Sequence, residues 1–255
     1  MNRIKLGPLA TLSQPCDSIE SGNKILRDGS TANSKNVFNL PFPSVRRANH
    51  TVFVPLHYER NYSYPLVVWL HANGEDSQAM LRMMPDLSIR NYVAFAPEAP
   101  VSGECGGYSW RNDVDSIYAG EQSVYETIDD ACSRLNIASE RIFLIGSGAG
   151  GTMAFRVAFQ RPELFAGVLS LNGALPSGET PLSRLNACRR LPVFWAHCRK
   201  DESFSEESLC NQLRLLHIAG FAVTLRQYPC GLELMPQILG DSNSWIMEII
   251  NGYKQ

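Results

Sequence analysis

Short apolar runs rich in β-branched and aromatic residues recur along this chain at 51–55, 66–71, 92–97, 142–145, 167–171, 193–197 and 222–228. Each is bounded by turn-forming residues. That is the pattern of strands buried on both faces, as in a parallel sheet covered by helices. Helical spacing fills several gaps between them. Ile117, Val124, Ile128, Ala131 and Leu135 form one apolar stripe that ends before Asn136. Leu209, Leu213 and Leu216 form another, opened by Ser203 with Glu206 three residues on and closed by Gly220. Trp245, Ile249 and Ile250 predict a short last helix. Strand alternating with helix predicts an α/β domain with a mostly parallel, doubly wound sheet and helices on both faces. The chain before it, residues 1–47, is rich in Ser, Asn, Gly, Pro and Asp and lacks periodicity. It is expected to be an extended or loosely packed arm, with the α/β domain occupying 48–255.

Composition narrows the function classes. The 255 residues are 44% hydrophobic and 19% charged, near globular averages, so wholesale disorder is excluded. A net charge of -2 gives no long-range attraction for nucleic acid or an anionic membrane, and neither is expected as a partner. The seven cysteines (Cys16, Cys105, Cys132, Cys188, Cys198, Cys210 and Cys230) are odd in number and form no CxxC pair. That argues against a disulfide framework and a zinc site, and no metal is expected. The opening segment MNRIKLGP carries no apolar run of signal-peptide length, and no later run is long enough to span a bilayer. A cytoplasmic setting is expected.

In such sheets ligands bind beyond the carboxyl ends of the strands, so the turns there carry the chemistry. The sharpest is RIFLIGSGAGGTMA, residues 141–154, where a strand enters a glycine-rich turn that opens directly into a helix. In a nucleophile elbow, G-x-S-x-G, small residues flank the nucleophile because strand and helix approach closely. Gly146 and Gly150 fill the flanking places, and Gly148 stands where the serine belongs.

The segment IFLIGSGAGGTMAFRVAFQRPELFAGVLSLNGALP (142–176) resembles the nucleophile segment of the phospholipase/carboxylesterase family of α/β-hydrolases. The likeness extends to PLVVWLHANG (65–74), AFAPEAP (94–100), the Trp110 segment and YPCGLEL (228–234). It implies the α/β-hydrolase fold. It also implies hydrolysis of acyl esters or thioesters by serine, aspartate and histidine in that chain order, with no cofactor. Carried over by position, the site is incomplete. Gly148 replaces the serine, Asp201 matches the acid, and Leu232 stands at the histidine position. The oxyanion loop is matched by His71-Ala72-Asn73-Gly74, with Ala72 at the glycine position, and Ala149 would supply the N–H that follows the nucleophile. Glycine has no nucleophilic atom and leucine moves no proton, so serine-triad catalysis is expected to be lost.

Other groups offer weaker chemistry. Ser147 is one residue early and should leave the elbow in a different direction. Cys230 has no identified base, and Asp201 has a plain alternative role near the start of the following helix. Of the five histidines (His50, His57, His71, His197 and His217), none follows the last predicted strand. His71 and His197 end buried strands and are expected to be satisfied structural histidines, while His217 suits a helix C-terminus. The glycine-rich turn lacks a P-loop's lysine and a dinucleotide fingerprint's spacing, so no cofactor is expected. These observations predict a carboxylesterase-like, non-catalytic protein that binds a small acyl ligand or peptide in its crevice, or engages a protein partner through its arm. The competing expectation is a weak or altered carboxylesterase or thioesterase with an unrecognised nucleophile.

Overall fold

A computed structural model describes residues 50–103, 106–178, 184–201, 204–229 and 236–252. The expected arm, Cys16, Cys105, Cys230, Ser203 and Leu232 lie outside them.

The sheet is built from β1 (His50–Phe53), β2 (Tyr64–Leu70), β3 (Val93–Pro97), β6 (Ile137–Ser147), β7 (Gly167–Leu171), β8 (Val193–Cys198) and β9 (Val223–Tyr228). A separate two-residue hairpin is formed by β4 (Val101–Ser102) and β5 (Tyr108–Ser109). Strand order in the main sheet is β1-β3-β2-β6-β7-β8-β9. Every neighbouring pair is parallel except β1 with β3. The central strands β2, β3, β7 and β8 are buried at every residue, which is why each appeared as an unbroken apolar run. β6 is longer than its apolar core predicted. Its first five residues, Ile-Ala-Ser-Glu-Arg, sit at the rim of the sheet, beside a register shift against β2.

Helices cover both faces. On one face lie α2 (Val114–Arg134), α3 (Ala149–Gln160) and α5 (Glu206–Ala219); on the other, α1 (Ala79–Leu87) and α6 (Pro236–Gly252). A single turn, α4 (Leu185–Cys188), precedes β8. Val124, Ile128 and Ala131 of α2 pack with Leu209 and Leu216 of α5 and most of α3 in one apolar cluster. Met80, Met84 and Leu87 of α1 join Ile238, Trp245 and Ile246 of α6 in the other.

One helix was not expected, and other expectations need correction. α1 carries Pro85 inside it, which breaks the helical sequence signal, yet its buried Met80, Met84 and Leu87 hold it on the sheet. The last helix is not short: it runs 17 residues. α5 is opened by Ser205 rather than Ser203, with the Ser205 hydroxyl accepting from the Ser208 N–H. Gly220 ends that helix as expected, in the left-handed conformation at φ 81°. The cysteines divide: Cys188 and Cys198 are buried, whereas Cys132 and Cys210 are exposed.

Candidate functional site

The elbow is formed as the sequence predicts. Gly148 sits between β6 and α3 with φ 52° and ψ -118°, a backbone conformation that a side-chain-bearing residue holds only under strain. Its N–H donates to the Leu171 carbonyl (2.8 Å) and its carbonyl receives the N–H groups of Gly151 (2.9 Å) and Thr152 (3.2 Å), which closes the first turn of α3. The flanking glycines are required by closeness. A Cβ on Gly146 would lie 2.1 Å from the Gly150 carbonyl oxygen, and one on Gly150 would lie 2.4 Å from the carbonyl oxygens of Leu70 and His71. At Gly148 itself a Cβ would meet only the Ala72 methyl, at 3.9 Å. Space for a side chain is therefore present at Gly148, which carries none. Ala149 opens α3, where a backbone N–H has no partner in its own helix. Ser147 ends β6, buried at 8% exposure.

The oxyanion-like loop after β2 is held from several sides. Ala72 approaches Gly148, but its N–H donates to the Glu75 carboxylate (3.1 Å), which also faces Arg82 (3.5 Å). His71 is fully buried, and the plain structural role expected for it is correct. Its Nδ1–H donates to the Ala72 carbonyl (2.7 Å), its Nε2 accepts the Ala99 N–H (3.1 Å), and its carbonyl receives the Trp110 indole (2.8 Å). Burial holds its pKa below the ordinary range, so the ring is a neutral strut.

Asp201 follows β8 and is buried at 5% exposure. It does not cap α5, because Ser205 does. Nor does it turn to solvent. One carboxylate oxygen accepts from the Asn172 side-chain amide N–H, and the side-chain oxygen of Asn172, Oδ1, accepts the Cys198 N–H (2.9 Å). Asn172, at the end of β7, is in the left-handed region at φ 60°. It is one residue past Leu171, to which Gly148 is bonded, so it links the elbow to Asp201. Sequence reasoning missed Asn172. Its signal was an asparagine directly after a buried strand in the SLNGALP segment, at a place where asparagine tolerates positive φ.

The structure thus brings Gly148, Ala72, Ala149, Asn172 and Asp201 to the carboxyl edge of the parallel strands. Leu232 is outside the described residues. His197 departs from expectation. It is fully buried on β8, its ring edge-on to Phe204 at 5.3 Å, yet among the described residues neither ring nitrogen has a hydrogen-bond partner. Desolvation lowers its pKa against the opposing pull of Glu206 and Asp201. Among the described residues no cluster of His, Cys, Asp or Glu could hold a metal, and no helix is long and apolar enough to cross a membrane.

Seven mostly parallel strands, helices on both faces and a strand–elbow–helix at the central strand define an α/β-hydrolase fold. Residues 58–246 match the phospholipase/carboxylesterase family, and the chain belongs to it. Among solved structures, the Bacillus cereus carboxylesterase superposes with a TM-score of 0.65 at 17% identity, covering 78% of this chain and 93% of that one. Arabidopsis thaliana SOBER1 gives 0.62 at 21% identity over 74% and 100% of the two chains. Zea mays acyl-protein thioesterase 2 gives 0.64 at 16% identity over 80% and 99%. At those identities the likeness is one of fold. The NocK protein of Nocardia uniformis subsp. tsuyamanensis, whose name proposes an esterase, is 30% identical over 137 residues. The match takes in 51% of this chain and only 38% of that protein's length.

Proposed function

We propose that this is a carboxylesterase-like protein that does not hydrolyse esters through a serine triad, and that its crevice serves binding. The occupant is a small acyl ligand or a peptide seated at the carboxyl edge of the sheet, where α/β folds place their ligands. Family membership and the names of relatives would carry ester or thioester hydrolysis to this chain. Gly148 opposes that transfer and carries the reading. The elbow is intact, the room above it is open, and the residue there has no atom with which to attack a carbonyl. Leu232, at the histidine position, removes the base as well. The fold remains a scaffold whose polar groups near the elbow can orient a bound carbonyl compound without cleaving it.

The proposed setting is the cytoplasm, which agrees with an odd number of cysteines and with free thiols at Cys132, Cys188 and Cys210. A protein partner is proposed to engage residues 1–47, with 48–255 forming the hydrolase-like domain. The decisive test is a serine-reactive phosphonate probe together with short acyl esters and thioesters. No labelling and no saturable turnover are expected. Turnover that survives repurification and disappears in Ser147→Ala would overturn the reading and establish an unrecognised nucleophile.

A further inference from the structure

At its far edge the sheet outruns the helix that covers it. Leu209 and Leu216 of α5 are buried, and they share one apolar cluster with Val193 and Trp195 of β8. The next strand, β9, ends the sheet, and its residues Val223 and Leu225 are only half-buried against that same cluster. Together with Leu213 and Phe221 they line a groove of about 440 Å³ between α5 and β9. The groove is open to solvent along one side, and its lining is mainly apolar with a few polar groups that could fix orientation.

Among the described residues that line it, the charged group is a cation, Arg214, beside the polar Cys210 and His217. Arg214 and His217 stand on α5 at the groove. Arg214 is exposed and has no ion pair or hydrogen bond among the described residues. Two other arginines that contact α5 differ: Arg189 donates to the Ala219 carbonyl (2.6 Å), and Arg199 pairs with Glu206 (3.2 Å). The acids of α5, Glu206 and Glu207, are at its opposite end, at least seven residues from Arg214 and therefore roughly 10 Å along the helix. An apolar trough with an uncompensated guanidinium at its rim is complementary to an amphiphile with an anionic head.

We propose that this groove binds a medium-chain fatty carboxylate. The alkyl chain lies on Leu213, Phe221, Val223 and Leu225, and the carboxylate takes Arg214, with the ring N–H of His217 as a second donor. Guanidinium and carboxylate match in geometry, and a charge-assisted bond there supplies the orientation that an apolar trough alone lacks. The site is separate from the elbow crevice, and the proposal stands whether or not Gly148 abolishes catalysis.

The test is calorimetric titration of the full chain with sodium decanoate below its micelle concentration. Saturable one-to-one binding is expected. Arg214→Gln, an exposed substitution that leaves the fold intact, should weaken it by more than twofold and up to about fivefold, as loss of a solvent-exposed ion pair requires. Decanol, which has the chain without the charge, should bind both proteins at that weakened level. Shortening to octanoate should weaken binding by up to about fourfold for each methylene removed from the groove. Leu213→Glu, which places a carboxylate in the trough, should abolish binding while circular dichroism reports a native fold. Absence of saturable binding overturns the proposal. So does decanoate binding that Arg214→Gln leaves within about twofold, since the ligand would then lie elsewhere, the elbow crevice included.

Discussion

A pair of glycine substitutions two residues apart should separate closely. In Gly146→Ala the new methyl would lie 2.1 Å from the Gly150 oxygen, 2.3 Å from its carbonyl carbon and 2.6 Å from the Gly151 nitrogen. All three are backbone atoms of α3, which cannot rotate aside. The helix must move away from β6 by more than an ångström, and it is buried along nearly its whole length against β6 and β7. Overpacking of that kind costs more than about 3 kcal/mol. In Gly148→Ser the nearest obstacle is the Ala72 methyl at 3.9 Å, so no steric cost arises. What remains is the strain of a side chain at φ 52° and ψ -118°, roughly 1–3 kcal/mol. At about 2–4 °C per kcal/mol for a domain of this size, Gly148→Ser should lower the melting temperature by roughly 2–12 °C. Gly146→Ala should lower it further or prevent folding. Urea unfolding at 25 °C, followed by tryptophan fluorescence, gives the free energies directly. If Gly146→Ala stays within about 1 kcal/mol of the parent, or if both substitutions have equal effects, strand and helix do not meet as described. The elbow assignment then fails with them.

Three further outcomes follow from the same geometry. The folded-state pKa values of His50, His71 and His197 are all lowered, chiefly by burial, so the fold favours neutral rings that the unfolded chain protonates near pH 6.5. Their contribution to stability is present above that pH and is lost as pH falls through 6.5 toward the lowered values; melting temperatures that stay flat from pH 7.5 to 5 would refute it. His197→Leu should leave stability unchanged or raise it by up to about 2 kcal/mol, because among the described residues neither ring nitrogen has a partner to lose; a loss above about 1 kcal/mol would contradict this. Asn172→Ala should destabilise by roughly 2–4 kcal/mol and Asn172→Gly by about 1 kcal/mol less, since glycine keeps the positive φ while both lose the bonds to Asp201 and Cys198; denaturant titration decides.

The sheet was legible in the sequence because its central strands are buried on both faces, and burial there forces unbroken apolar runs. The elbow was legible for a related reason. Three glycines in five residues have few uses other than a close strand-to-helix turn, and the clash distances at Gly146 and Gly150 show the constraint they answer. Less was visible where tertiary contacts decide. α1 exists against its own Pro85 because Met80 and Met84 find a core. The β4–β5 hairpin rests on backbone pairing between glycine-rich segments that carry no periodicity. Asn172 and Glu75 were invisible for a different reason. Each acts through a hydrogen bond to a residue whose position only the fold fixes, and Asn172 and Asp201 are 29 residues apart in the chain.

Those two residues bear on how far the site stands from catalysis. An oxyanion donor works only if its N–H is open to the substrate when charge develops. The Ala72 N–H is instead held by the Glu75 carboxylate, a negative group where the reaction would build another. In a working triad the acid accepts from the imidazole and holds it in one tautomer. Here one oxygen of Asp201 is taken by the Asn172 amide, whose other end secures the Cys198 N–H. Supplying a serine at 148 and a histidine at 232 would therefore meet an oxyanion donor whose bond must be exchanged before it could serve, and an acid whose acceptor sites are shared with the Asn172 amide. Gly148→Ser with Leu232→His should gain more esterase activity than either single change, because nucleophile and base act as a unit. The gain should stay well short of a native triad's until Glu75 is also removed. Equal activity in the double and both single variants would mean that 148 and 232 were never partners. Full activity without any change at Glu75 would mean that the Ala72 N–H has no part in the site.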